Sequence, residues 1–264
     1  NVYKVELKSV NGVTKGAGEY NHGSTATINA VAAVGYHFVK WSDGVTKAKR
    51  SIVVLSDTTL TAEFEINKYT VSVTAKNGKV EGTGEYDYGS IADLVAIPDE
   101  GYHFVGWSDG ETEAERSIAV MSSVSLTAKF AINVYEVVLN TENGIVKGAG
   151  KYEHGDTVDI SSVPNVGYHF VKWSDGDKNA ERKIVVKSDL NLTAETAINV
   201  YTVSLSASNG VVTGTGKYEH GDTVVISVTP NEGYHFIKWS DGDVSMERRF
   251  IIVSNLSLKA EIAI

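Results

Sequence analysis

Tyr3, Val5 and Leu7 alternate with Lys4, Glu6 and Lys8, the period-2 pattern of a strand with one face on a core and the other in water. Leu60, Ala62, Phe64 and Ile66 alternate in the same way with Thr61, Glu63 and Glu65. Between these strands, Asn11-Gly12 predicts a hairpin through a type I′ turn, because both residues tolerate positive φ. The chain is then expected to return as one strand through Val13 to Tyr20. Gly16 and Gly18 lie on one face of that strand, where paired glycines point to a bulge or to the close approach of another backbone. A turn at His22-Gly23-Ser24 leads into a strand from Thr25 to about Val31. Tyr36 to Trp41 reads as the next strand, ending at the Asp43-Gly44 turn. Val45 to Lys49 is polar and holds at most one helical turn. Arg50 to Leu55 is apolar on both faces, as a central strand would be. Six short strands and no full helix are expected.

The pattern repeats. Gly-Tyr-His-Phe, two residues, then Trp-Ser-Asp-Gly occurs at Gly35 to Gly44, Gly101 to Gly110, Gly167 to Gly176 and Gly233 to Gly242, always 66 residues apart. A fixed period decides the architecture before any local assignment does. The expected domains are 1–66, 67–132, 133–198 and 199–264. The fold class is mainly β, as four tandem antiparallel β modules of small sandwich, barrel-like or β-grasp-related form. The only three prolines, Pro98, Pro164 and Pro230, all close the third strand of a unit. At Ile66-Asn67 the inward phase slips from even to odd positions, with the same slip at Ile132-Asn133 and Ile198-Asn199. A one-residue slip turns every side chain to the opposite face, so the chain is expected to leave one core and enter the next there. No Gly, Pro or Ser-rich linker intervenes, which predicts a stiff joint and an elongated rod.

Composition narrows the function. A module of this size buries little surface when alone, and with no cysteine no disulfide compensates. The net charge of −9, split +1, −5, −3 and −2 among the units, argues against a nucleic-acid partner. No apolar run is long enough to span a membrane as a helix, so no membrane insertion is expected in this segment. Beginning and ending on a repeat boundary suggests a piece of a longer chain.

Trp41, Trp107, Trp173 and Trp239, with Tyr36, Tyr102, Tyr168 and Tyr234, are the candidate ligand-binding residues. An exposed Trp beside Tyr and Asp suits stacking on a sugar or anchoring a protein. The competing reading makes each Trp the largest core side chain of a small domain, and it is the favoured one. His37, His103, His169 and His235 are expected on the solvated face. With His22, His154 and His220 they could hold zinc, but no third ligand is evident and Tyr88 breaks the set. Asp43 and Arg50, with their equivalents, suggest an ion pair across a hairpin. Asp175 and Asp177, like Asp241 and Asp243, could help bind calcium but lack a calcium-loop spacing. Gly16 and Gly18 lead into no helix, so a phosphate loop fails on context. Ser42 has no marks of an activated nucleophile. Neither cofactor nor metal nor catalysis is expected.

Gly35, Tyr36, Phe38 and Trp41, with the closing Leu60-Thr61-Ala62-Glu63-Phe64 and their equivalents, resemble the divergent internalin B-type repeats, also called Listeria–Bacteroides repeats. The resemblance covers all four units; Thr196 and Ile262 depart from it at the final aromatic position. It implies a largely β module, found in tandem in secreted or wall-attached bacterial proteins as stalks, spacers and adhesive segments, with no catalytic residues. The founding module has a β-grasp arrangement with a helix, for which this sequence has no room. The expected function is a rigid extracellular spacer, with adhesion to a host or neighbouring-cell surface protein or glycan. Four copies of a weak site would gain by avidity. A carbohydrate-binding array built on the aromatic motif is the rival, and lateral self-association into a fibre is a third reading. No residue demands a Lys–Asn cross-link.

Overall fold

The computed structural model describes residues 1–264. The chain divides into two compact units, Asn1–Asn133 and Val134–Ile264, and each unit holds two copies of one all-β design. In the first copy the strands are β1 (Val2–Ser9), β2 (Gly12–Lys15), β3 (Gly18–Asn21), β4 (Thr25–Ala32), β5 (Tyr36–Trp41), β6 (Lys49–Val53) and β7 (Thr58–Ile66). Strands β8 to β28 repeat the series over residues 68–132, 134–198 and 200–263. No helix forms; residues 45–48 of the polar stretch are irregular.

Each copy packs two sheets face to face. One has the order β3-β1-β7-β5 and the other β2-β4-β6. The inner faces meet in a core of Val5, Leu60, Ala62 and Trp41 from the first sheet, Ala26, Ile28 and Ala30 from β4, and Val54 beyond β6. Four such cores are present, each drawn from residues of its own copy. The phase slip falls where the cores change hands. Leu60 and Ala62 are buried in the first core and Val71 in the second, with Asn67 alone between β7 and β8.

Four features differ from the sequence reading. The stretch from Val13 to Tyr20 is two strands, giving seven per copy: β2 pairs with β4, whereas β3 pairs with β1 in the other sheet. The glycines mark the crossing. At Gly16, with φ +99°, an added Cβ would collide with the Thr27 carbonyl oxygen, so only glycine lets the two backbones pass. The Tyr20 hydroxyl donates to the Gly16 carbonyl at 3.0 Å and ties the corner, and Tyr86, Tyr152 and Tyr218 do the same. The predicted hairpin at Asn11-Gly12 is a link between sheets: Asn11 has φ +63° but Gly12 does not share it, and β1 and β2 do not pair. β6 is an edge strand with Val53 exposed, and β4 is the central one. Finally, β1 and β7 run parallel, in register from Val5 with Thr58 to Ser9 with Ala62, so the four-stranded sheet is mixed. Parallel neighbours need a long crossover, which here is the rest of the module. The first and last strands thereby clasp each other.

Candidate functional site

The recurring motif starts on β5, whose alternation sends Phe38 and Trp41 inward and His37 outward. A bulge between Phe38 and Lys40 shifts the register against β7, and this brings Trp41 onto the core face opposite Ala62. The four tryptophans are 0–2% exposed. A Trp side chain removes about 150–250 Å² from water, worth about 4–6 kcal/mol at about 25 cal/mol per Å². The net stability of a domain this size is about 3–10 kcal/mol. The ring cannot be spared for a ligand, and no face of it is open to stack on a sugar. Tyr36, Tyr102 and Tyr168 are half-buried at the start of their strands, and Tyr234 is half-buried just before its strand. The eight candidate ligand-binding residues therefore do not assemble into an open aromatic platform.

The polar loop after the motif is tied down by the same ring. The Trp107, Trp173 and Trp239 indole N–H groups donate to the carbonyls of Glu113, Asn179 and Ser245 at 2.8–2.9 Å, and Trp41 to Lys47 at 3.3 Å. Ser42 extends the sheet: its N–H donates to the Thr61 carbonyl at 2.8 Å and its hydroxyl accepts from the Thr61 N–H at 3.1 Å. That role explains the serine without any nucleophile.

Asp and Arg seven residues apart form the expected ion pair in every copy. Arg116 Nη1 contacts both Asp109 carboxylate oxygens at 2.8 and 2.9 Å, and Arg248 reaches those of Asp241 at 3.0 and 2.7 Å. The guanidinium lies 5.6–5.9 Å from the Trp ring centroid in the first three copies, and Arg248 lies 4.7 Å from Phe250. The Arg hydrogen bond holds the Asp109, Asp175 and Asp241 carboxyls below the usual carboxylate range. At Asp43 burial pushes the other way, and the Arg50 hydrogen bond and the Val45 N–H outweigh it. Asp177 accepts from the Asn179 N–H at 2.8 Å and pairs with Arg182 at 3.0 Å, so the carboxylates that suggested calcium are engaged within the chain. No group of three or more His, Asp or Glu side chains converges on a metal position.

The motif histidines of the first three copies serve the joints. His37 Nδ1 lies 2.9 Å from Asn67 Oδ1, and His169 Nδ1 lies 2.8 Å from Asn199 Oδ1. The Asn67 N–H donates to the Gly35 carbonyl, and the Asn67 carbonyl accepts from the Tyr88 N–H, both at 2.8 Å. The Tyr88 ring lies so close over Gly35 that a Cβ there would enter it; His220 sits over Gly167 in the same way. His22 instead packs on Tyr3, with ring centroids 5.8 Å apart, so the two histidines of a copy do not meet. The asparagine clamp was missed in the sequence reading. Its only signal is an Asn at the first position of each period, residues 1, 67, 133 and 199.

A family model described as the divergent InlB B-repeat domain matches four consecutive stretches, residues 3–68, 69–134, 135–198 and 201–261. A protein of Evansella cellulosilytica called a membrane protein is 28% identical over 218 residues, 77% of this chain and 33% of that one. A second from the same organism, called a glycine-rich membrane protein, is 27% identical over 269 residues, 94% of this chain and 30% of that one. The chain thus spans about a third of the length of these relatives. Among solved structures, the TIE protein of Bacillus anthracis overlays with a TM-score of 0.41 at 8% identity, covering 93% of this chain and 62% of that one.

Proposed function

The chain belongs to the divergent InlB B-repeat family, and from that membership we propose that it is a non-catalytic spacer in a bacterial envelope protein, exposed outside the cell. One observation carries the reading: the tryptophan, the Asp–Arg pair and the joint histidines that recur every 66 residues are engaged within the chain, whereas a cross-strand pair on the outer face of the three-stranded sheet changes its chemistry from copy to copy. Trp41 is core, Asp43 holds Arg50, and His37 and Asn67 form a joint. On the outer face of the three-stranded sheet, one cross-strand position reads Thr27–Ser51, Asp93–Ser117, Asp159–Lys183 and Val225–Arg249 in turn. A ligand site used four times would repeat its surface chemistry; a spacer needs only to repeat its fold.

The relatives called membrane proteins support placement at the envelope. The reach of a tethered reporter tests the proposal. A fluorescent domain held from a supported bilayer by this chain should stand farther off than one held by residues 1–132. Equal heights would overturn the spacer reading. Glycan-array binding that is lost on Tyr36→Ala, Tyr102→Ala, Tyr168→Ala and Tyr234→Ala together would replace it with the carbohydrate-array reading.

A further inference from the structure

The Asn-Gly pair that opens β2 occurs four times, at Asn11, Asn77, Asn143 and Asn209, each followed by glycine. Its chemistry is independent of the spacer role. In such a pair the glycine amide nitrogen, after losing its proton, can attack the Asn side-chain Cγ. The new C–N bond closes a five-membered succinimide, the Cγ–Nδ2 bond breaks and ammonia leaves. Water then opens the ring at either carbonyl to give aspartate or isoaspartate. The sum is loss of ammonia and gain of water, with no redox partner.

Glycine follows for packing reasons. A Cβ at Gly12 would stand 2.5 Å from the Phe64 ring and 2.7 Å from the Val31 carbonyl oxygen, and one at Gly144 2.7 Å from that of Val163. The fold therefore keeps the unhindered nucleophile at every copy. What differs is the asparagine. Asn11, Asn77 and Asn209 have φ of +63°, +66° and +65°, whereas Asn143 lies outside the positive-φ region. A left-handed residue has ψ near about +47°. For an L-residue the Cβ–Cα–C–N torsion is ψ plus about 120°, hence about 167°, and the glycine nitrogen points away from Cβ. Ring closure needs that torsion near zero. The left-handed turn is close to the worst starting geometry, so Asn11, Asn77 and Asn209 are shielded.

We infer that Asn143 is a site of spontaneous succinimide formation, which makes the third repeat the one that acquires isoaspartate. Its neighbour Glu142 is exposed, so water reaches the turn. The Asn143 carbonyl accepts the Asn165 N–H at 2.9 Å, and isoaspartate would lengthen the backbone by one carbon beside that bond. The four Asp-Gly pairs are not competitors. Asp43, Asp109, Asp175 and Asp241 are held as carboxylates by Arg, and a carboxylate has no neutral leaving group to expel.

The full chain, aged at pH 8 and 37 °C and then digested, is followed by peptide mass, which rises about 1 Da on deamidation, and by isoaspartyl methyltransferase labelling. Position 143 should convert at least about tenfold faster than each of the other three, which must first leave a left-handed conformation that the surrounding fold holds in place. In denaturant the four rates should converge, and Asn143→Ala should remove most of the label from folded protein. Equal rates in the folded chain, faster conversion at another site, or a preference for 143 that persists in denaturant would each overturn the assignment.

Discussion

Gly35→Ala separates the energy of a joint from that of a module. Gly35 and Gly233 have the same φ, +83°, so alanine at either pays the same left-handed penalty of about 1–2 kcal/mol. Their surroundings differ. A Cβ at Gly35 runs into the Tyr88 ring of the next copy, while one at Gly233 meets nothing within 4 Å. Forcing a methyl group against a packed ring costs about 1–3 kcal/mol more. That surplus should appear where the joint is bonded, at the Asn67 and Tyr88 amides that donate to Gly35 and Asn67. At about 1.4 kcal/mol per decade, their hydrogen-exchange protection should fall roughly five- to 140-fold in Gly35→Ala. Tyr88→Ala removes the obstacle, so the double mutant should recover about 1–3 kcal/mol of coupling relative to additivity. Equal losses for Gly35→Ala and Gly233→Ala in their own repeats, with no relief from Tyr88→Ala, would refute the view that the ring over glycine sets the joint.

Tryptophan emission of the native chain should be blue-shifted and closed to iodide, since all four rings are buried, and Trp173→Ala should cost about 3–5 kcal/mol and unfold the third repeat; quenchable emission would contradict the packing. Arg182→Met should lose about 1–2 kcal/mol, from the ion pair with Asp175 and the contact with Trp173, as read by urea unfolding. The aspartates are depressed in the folded state, so their contribution is fully present above the unfolded value near about 4 and is lost as pH falls through the lower folded values. Thermal midpoints should therefore drop below about pH 4, and Arg116→Gln should shallow that drop; a drop unchanged by the substitution would remove the Asp109 pair from the cause. Tyr20→Phe should cost about 1 kcal/mol through the lost bond to Gly16, measured as the first repeat's unfolding midpoint.

Strands whose residues alternate cleanly were legible. β5 begins at Tyr36 and ends at Trp41 as read, and β4 runs one residue past the expected Val31. The tryptophan's core role could also be argued, because a small module has few large side chains to bury. The misread features all depend on pairing partners distant in the chain. Val13 to Tyr20 carries strand-like residues on both sides of Gly16, and nothing local says that the halves belong to different sheets. Ile52 and Val53 gave β6 an apolar look on both faces, yet Val53 stays exposed because it lies on the uncovered outer face of the three-stranded sheet. The parallel contact of β1 with β7 joins residues 53 apart, beyond the reach of any turn signal. The joint was half visible: the phase slip located it, but the Asn67 clamp needs His37 and Tyr88 brought in from two neighbouring copies.

The clasp of β1 and β7 connects these observations to how load would pass along the chain. β1 enters its module at Val2 and β7 leaves at Ile66, and the two run side by side in one sheet, bonded over five residue pairs. Tension applied at the two ends of a copy is therefore met by a ladder between adjacent parallel strands, whose bonds share the load, before it reaches the core. The Asn67 clamp then passes that tension to β8 through a single residue bonded on both sides. A direct handover leaves little slack, unlike a flexible linker whose span fluctuates with its length. If this route is correct, pulling the chain from its ends should give discrete unfolding events of whole repeats. Breaking the ladder with Leu7→Pro, which removes an N–H and bends the strand, should lower the force of one event and leave the others unchanged. A gradual extension without separate events would show that the modules do not carry load as units.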